Sequence, residues 1–411
     1  MKKIKASALS LLLALGALSG CGTSLTSEDS IDSGEPIVSD QYNLYVTLGT
    51  LPTLYAGLEM FAQEVESYAW YFRSGTFDRE LMPSYVNFFE TQGVDNANST
   101  LDFSVIRDKV VELKELAPNA KFHLYTDDLR VQFVLDLLIG AGLEEEDFLV
   151  TLLSDGTGTY SVFNRISDED WGNMQVNWNT HVDHYQGGSQ FKWGDNNQAM
   201  YLQNYAAYVS TFANVEYWLQ YPEYMQNEEA TTLMADKEAM HLIAKDPHAM
   251  YSALDALQKE QFEKAVLSSS NSTIEFYNQQ FLDRDRDILI IAGTNKPGLE
   301  TNVEYIDQAL ADFADTHYIY FKPHPAYPPN NELEGYFDDH DIITLPYRTP
   351  MEAILWMFPD VFVGGYSSSL FMSTTPGQTL FFFGELGTPL PDLEALGHFD
   401  DAIKYELPLD E

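Results

Sequence analysis

Thiols are all but absent from this chain, in which Cys21 is the one cysteine. Counting alone therefore excludes a disulfide framework, a zinc–thiolate centre and cysteine catalysis in the folded part. Basic residues are scarce as well, 22 Lys and Arg against 63 Asp and Glu, for a formal charge of −41. Nucleic acid, which binds through phosphate neutralisation, is excluded as a partner on that balance. An anionic ligand has to be held by local donors against an unfavourable overall field. Long apolar runs are missing too, since Ala8–Leu18 is too short to span a bilayer comfortably. Gly156 and Gly158 do not make a dinucleotide fingerprint, and there is no Walker loop, no Gly-x-Ser-x-Gly elbow and no repeat of solenoid period.

What is present begins with a leader. Lys2, Lys3 and Lys5 form a basic start, an apolar run follows, and small residues precede Cys21. This is the layout of a secretory signal over residues 1–20. Leu18-Ser19-Gly20-Cys21 also resembles a bacterial lipobox, which implies an exported lipoprotein anchored to a membrane through acyl chains on Cys21. Residues 21–41 are rich in Ser, Thr, Asp and Glu and read as a flexible tether. The remaining ~370 residues exceed what one core usually serves and predict two domains.

Strand and helix patterns alternate in both halves. Asn43–Leu48 predicts a strand, Leu54–Ser67 a helix, Lys121–Tyr125 a strand, Asp127–Ala141 a helix and Phe148–Leu153 a strand. The segment 160–224 is aromatic and Asn/Gln-rich without clear periodicity, and 228–268 reads as polar helices broken near Pro247. A second α/β region runs from Ile288–Ala292 through a helix (302–314), the strand His317–Lys322, a short helix (350–358), the strand Val361–Gly364 and a last strand, Leu380–Phe383. The expected architecture is α/β with two Rossmann-like domains facing a central cleft. The boundaries read as 42–170 for the first domain, with 386–411 packing back on it, and 171–385 for the second.

Chemistry-bearing residues fall at strand ends, where open α/β sheets bind ligands. Phe321-Lys322-Pro323-His324-Pro325 follows one strand and Ser367-Ser368-Ser369 another. His324, held between two prolines, is rigidly placed to contact a departing phosphate. Ser368 and Ser369 offer hydroxyls and backbone N–H groups at a helix start, an anion site or equally a serine N-cap. Asp155-Gly156 closes a strand of the first half, where a carboxylate can accept a hydroxyl proton; an ordinary Asp-Gly turn has the same sequence. Glu352 opens a helix as a first-turn carboxylate or as a partner for a ribose. His181, Asp183 and His184 are metal-type residues without a clear third ligand, so no metal site is assigned. Asp283, Asp285 and Asp287 alternate with arginines ahead of a strand rather than after one, and read as a solvated stretch.

Taken in order, these pieces resemble the bacterial sialyltransferases of the marine Photobacterium and Pasteurella type, glycosyltransferase family 80. Leu51-Pro52-Thr53-Leu54 is similar to that family's early strand–turn. Asp155-Gly156 matches its Asp-Asp-Gly, with Ser154 in place of the first acid. Phe321–Pro325 resembles Phe-Lys-Gly-His-Pro, with Pro323 replacing glycine, and Ser368-Ser369-Leu370-Phe371 lies on Ser-Ser-Leu-Tyr. Gly293-Thr294 matches a Gly-Thr pair near the nucleotide. Glu352 falls on the family's glutamate ahead of the final sheet strand, and Arg73 on an arginine of the acceptor cleft.

The resemblance implies the GT-B fold and an inverting transfer from CMP-sialic acid to a galactoside, α2,3 or α2,6, without metal or other cofactor. Asp155 would be the general base and His324 the general acid or electrostatic partner. Gly293, Thr294, Lys322, Pro325, Glu352, Ser368 and Ser369 would line the donor site, and Pro52, Thr53 and Arg73 the acceptor side. A family tryptophan is absent where Asn295-Lys296-Pro297-Gly298 stands, and a histidine is replaced around Thr126-Asp127-Asp128. These departures keep open a GT-B transferase for another CMP-linked sugar, Kdo or a different nonulosonic acid. The lipobox and two α/β lobes also fit a non-catalytic solute-binding lipoprotein.

Overall fold

A computed structural model of the chain describes residues 38–70, 75–89, 100–101, 104–128, 138, 140–185, 191–192, 205–282, 284–293, 299–324, 331–366, 377–384 and 401–406. The strands of the first half are β1 (Gln41–Val46), β2 (Ser67–Trp70), β3 (Val86–Phe88), β4 (Thr100–Leu101), β5 (Lys121–Asp127), β6 (Phe148–Leu153), β7 (Phe191–Lys192), β8 (Val215–Leu219) and β9 (Leu242–Ala244). Those of the second half are β10 (Asp287–Ala292), β11 (His317–Lys322), β12 (Ile343–Thr344), β13 (Phe362–Tyr366), β14 (Thr379–Phe383) and β15 (Ile403–Tyr405). The helices the argument uses are α1 (Thr50–Ala62), α2 (Ser104–Leu116), α3 (Thr157–Phe163), α4 (Asp168–Tyr185), α5 (Thr231–Asp236), α6 (Pro247–Ala253), α7 (Ala256–Ser268), α8 (Ile274–Phe281), α9 (Leu299–Phe313), α10 (Asn331–Asp339) and α11 (Met351–Met357).

Seven strands form one parallel sheet in the order β3-β2-β1-β5-β6-β8-β9, and six form another in the order β12-β11-β10-β13-β14-β15. β4 and β7 pair antiparallel as a separate ribbon. Parallel strands covered on both faces need near-continuous apolar sequence, and Phe-Leu-Val-Thr-Leu-Leu in β6 and Ile-Leu-Ile-Ile-Ala in β10 supply it. α1 is buried all along from Leu51 to Phe61, as a helix apolar on every side must be. Phe61 meets Phe262 of α7 edge-on at 5.8 Å. Asp255 caps α7 by accepting from Leu257 N and Gln258 N, and the Gln258 side chain returns a bond to Asp255 N.

In each sheet the strand order reverses once, between β1 and β5 in the first and between β10 and β13 in the second. At such a reversal the connections leave to opposite faces and open a crevice at the carboxyl ends. The two reversals therefore locate one place for ligand chemistry in each sheet.

The α/β architecture follows the sequence reading, but the domain boundaries do not. β8 and β9 lie beyond residue 170 yet complete the first sheet, because β8 pairs with β6 from Val150↔Val215 to Leu153↔Trp218. The tail was expected on the first domain; instead β15 pairs with β14 and extends the second sheet. Within 160–224 the structure has α3, α4 and β8. The helix expected from Leu54 starts at Thr50, with Pro52 in its first turn, and stops at Ala62 so that Ser67 can open β2. Asp127, expected in a helix, ends β5.

Candidate active site at the carboxyl ends of two sheets

Asp155 stands two residues past β6, half-buried, between fully buried Ser154 and Gly156. Gly156 adopts φ 94°, ψ −146°, a region open in practice to glycine alone, and this turn starts α3. Asp155 points toward the reversal of the first sheet: a Cβ built on Gly49 would lie 1.9 Å from Asp155 Oδ1. Gly49 is the N-cap of α1, so the base candidate sits beside a helix N-terminus, where negative charge is favoured. A second carboxylate, Asp127, accepts from Leu48 N at 2.8 Å and Gly49 N at 3.1 Å and fixes the β1–α1 turn from the side of β5.

Beneath the Asp155 turn lies a buried polar chain. Gly156 N donates to Ser154 Oγ at 3.3 Å, and Ser154 Oγ donates to Thr159 Oγ1 at 3.1 Å. Thr159 Oγ1 donates to Asp128 Oδ2, which also receives Tyr217 OH at 2.7 Å. Burial pushes the Asp128 carboxyl up to about 6, with the Thr159 and Tyr217 bonds pulling the other way. Burial and then the Asp128 charge hold the Tyr217 phenol protonated well past its ordinary range.

His324 stands two residues past β11, half-buried, after buried Pro323. Lys322, at the end of that strand, is fully buried, and its ammonium donates to Pro323 O and Tyr347 O, both at 2.8 Å. Its side chain therefore braces the histidine turn against the segment leading into α11 and is not offered to a ligand. Burial pulls the ammonium down to about 7, and the charge of Glu352 opposes that shift. Glu352, in the first turn of α11, is thus electrostatically coupled to the same brace.

At the reversal of the second sheet, Gly293 N donates to Lys322 O at 2.9 Å. A Cβ on Gly293 would meet the Phe321 ring at 2.6 Å. Gly365 of β13 has φ +122°, and a Cβ there would come within 2.4 Å of Ala292 O. Glycine is required where these two strands close up.

The expected residues fare differently. Asp155 reaches the Gly49 turn, and the charge of Glu352 acts on Lys322. Pro52 and Thr53 are buried in the first turn of α1; Thr53 Oγ1 donates to Gly49 O at 2.7 Å and lies 3.1 Å from Thr47 Oγ1. Thr53 thus ties its hydroxyl to its own helix start. Cys21, Arg73, Thr294, Pro325, Ser368 and Ser369 lie outside the described residues, as does Asp283. β13 ends at Tyr366, so the serine triplet follows directly from a strand end of the second sheet.

His181, Asp183 and His184 fall in α4, in a part whose side chains are not described; among the described residues no group of three or more His, Cys, Asp or Glu could hold a metal. Arg284 and Arg286 spend their charge on the carbonyls of Gln279, Gln280 and Ala314 and on the ring of Tyr318, whose hydroxyl donates to Asp285. That stretch is a brace at the amino end of β10, away from the ligand edge. Gly49, Asp127 and Asp128 were not singled out as site residues in the sequence; an acid pair closing an apolar strand was the signal for the latter two.

Solved bacterial sialyltransferases share this fold. The α/β-galactoside α2,3-sialyltransferase of the luminous marine bacterium Photobacterium phosphoreum matches with a TM-score of 0.67 at 16% identity, over 89% of this chain and 98% of that one. The GT-B domain of the Photobacterium damselae sialyltransferase matches with 0.60 at 15% identity, over 89% and 100%. The 2,6-sialyltransferase of Photobacterium sp. JT-ISH-224, solved with the donor product CMP and the acceptor lactose, matches with 0.64 at 14% identity, over 89% and 78%. No protein-family model and no curated protein matches the sequence. The chain has the GT-B fold in the form these bacterial sialyltransferases have.

Proposed function

We propose that this chain is an inverting sialyltransferase that moves sialic acid from CMP-sialic acid to a hydroxyl of a galactoside. The observation that carries the reading is that one carboxylate, Asp155, and one imidazole, His324, each stand two residues past the carboxyl end of a parallel strand, one strand away from the order reversal of its sheet. In this reading Asp155 takes the proton of the acceptor hydroxyl as its oxygen attacks the anomeric carbon. The bond from that carbon to the phosphate oxygen breaks on the opposite face, and CMP leaves. His324 donates to the departing phosphate, helped by Ser368 and Ser369 in the sequence that follows β13. Gly293, Thr294 and Pro325 surround the nucleotide and Glu352 holds its ribose; Arg73 serves the acceptor side.

Protein groups supply the charge compensation, so the reading includes no metal or other cofactor. Its membrane side is lipidation at Cys21 in an exported protein. Among the described residues no helix is long and apolar enough to cross a membrane.

The test is purified protein with CMP-Neu5Ac and lactose, with and without EDTA. Sialyllactose and CMP are expected at equal rates in both. Asp155→Asn and His324→Ala each lower kcat by about 10²–10⁴-fold with an unchanged circular dichroism spectrum. Absence of both turnover and CMP binding overturns the reading, and tight binding of a free sugar in their place points to a solute-binding protein. Turnover only with CMP-Kdo or another CMP-linked nonulosonic acid moves the donor, the outcome favoured by the departures at Lys296 and Asp128.

A further inference from the structure

We infer that Asp128 is a positioning residue, whose buried carboxylate straps down the turn that aims Asp155. Three separate elements meet on it. Asp128 follows β5, Thr159 lies in α3, and Tyr217 lies in β8. Thr159 carries the strap onward through Ser154 Oγ to Gly156 N, so both neighbours of Asp155 are tied to one carboxylate.

A carboxyl group with no exposed surface is an expensive way to join three elements, and an apolar core would join them more cheaply. What the carboxylate adds is direction. Every donor in the chain from Gly156 N to Thr159 Oγ1 points toward it, so no hydroxyl along the strap has a choice of orientation. Ser154 N is meanwhile fixed to Trp218 O at 3.3 Å, and Gly156 holds a backbone conformation that needs external support. The one group of the turn left half-exposed is the Asp155 side chain. Its carboxylate then lies against Gly49, whose position is fixed by the other acid, Asp127. Two adjacent acids at the end of β5 thus set the two sides of the same contact.

The catalytic half of this inference rests on the proposed role of Asp155, whereas the strap itself does not. The full-length protein is therefore examined by two readouts, amide hydrogen exchange over residues 154–157 and transfer kinetics. The variants are Asp128→Asn, Thr159→Val and Thr159→Ser. Asp128→Asn and Thr159→Val should speed exchange at 154–157 by about tenfold relative to the rest of β6, and Thr159→Ser, which keeps the hydroxyl, should not. With CMP-Neu5Ac and lactose, the first two should lower kcat by about 10–100-fold with an unchanged donor KM, and Thr159→Ser should retain wild-type kcat. Adding Asp128→Asn to Asp155→Asn should cost nothing further.

Unchanged exchange at 154–157 in both disruptive variants overturns the inference. So does faster exchange spread evenly over the whole first sheet, which marks a fold-wide role. If the wild-type protein transfers no sugar, the proposed function falls, and the exchange pattern decides the strap alone.

Discussion

Gly49 shows how much of the site depends on one missing atom. Its φ of −72° is available to any residue, so conformational freedom is not why glycine stands there. The reason is space: a β-carbon would land 1.9 Å from Asp155 Oδ1, the movable end of a side chain, and 2.9 Å from the Pro52 ring. Gly49→Ala should therefore push the Asp155 carboxylate aside rather than unfold the turn. We expect a loss of about 10–100-fold in kcat with stability changed by no more than about 1 kcal/mol, measured by transfer assay and urea unfolding. Equal kcat in Gly49→Ala and wild type would show that Asp155 works from another position. Lys322 teaches a related lesson, because next to a strand-end histidine it reads as a phosphate ligand. Its two carbonyl partners and full burial make it a brace for His324. Which of two neighbouring residues faces a ligand depends on where the partners lie, and Tyr347 is 25 positions away.

Elements decide the next level, and β5 is the instructive one. It carries His123 in its middle and leads into Asp128, two titratable side chains taken out of water with opposite consequences. His123, stacked 4.1 Å from Tyr125 and 2.7 Å from Thr151 Oγ1, is lowered by burial to about 4 from 6.5. Between those values the unfolded chain binds more protons, so this residue removes stability as the pH falls from 6.5 to 4. Asp128 is raised by burial to about 6 from 3.8. Between those values the folded protein binds more protons, so Asp128 adds stability as the pH falls through nearly the same window. The two largely cancel. His123→Gln leaves Asp128 alone, and the variant should gain on the order of 2 kcal/mol relative to wild type between pH 6.5 and 4, measured from urea midpoints. Parallel pH curves for the two proteins would contradict the assignment.

Element type was readable wherever apolar runs met turn residues: the strands at Phe148–Leu153 and His317–Lys322 were predicted to the residue. It was not readable across 160–224. In α4 only Trp171 and Met174 are buried among the first nine side chains, and the aromatic background masks so sparse a stripe. β8 has five residues and an acid in second position, too short a signal to separate from its surroundings.

At the scale of the molecule, charge and topology act together. A formal charge of −41 surrounds a site proposed for an anionic donor. Long-range repulsion slows encounter and is screened by salt. We expect kcat/KM for CMP-Neu5Ac to rise severalfold as NaCl goes from about 20 to 200 mM, with kcat little changed. A fall with salt would show that local cations around the donor site outweigh the global field. Topology contributes the two order reversals, with Asp155 and His324 each following a strand one place from a reversal, on opposite sides of it in the two sheets.

The sequence by itself determined the α/β class, the strand-end placement of Asp155 and His324, the lack of thiol chemistry and the acidic field, because these depend on composition and local periodicity. Only the tertiary structure decided that β8 and β9 belong to the first sheet and β15 to the second, that Lys322 is internal, and that Asp127 and Asp128 support the base candidate. Each of those depends on partners far apart in the chain: Asp127 with Gly49 across 78 positions, Asp128 with Tyr217 across 89. Pairing over such distances is set by which strands find each other during folding, and no local pattern carries that information.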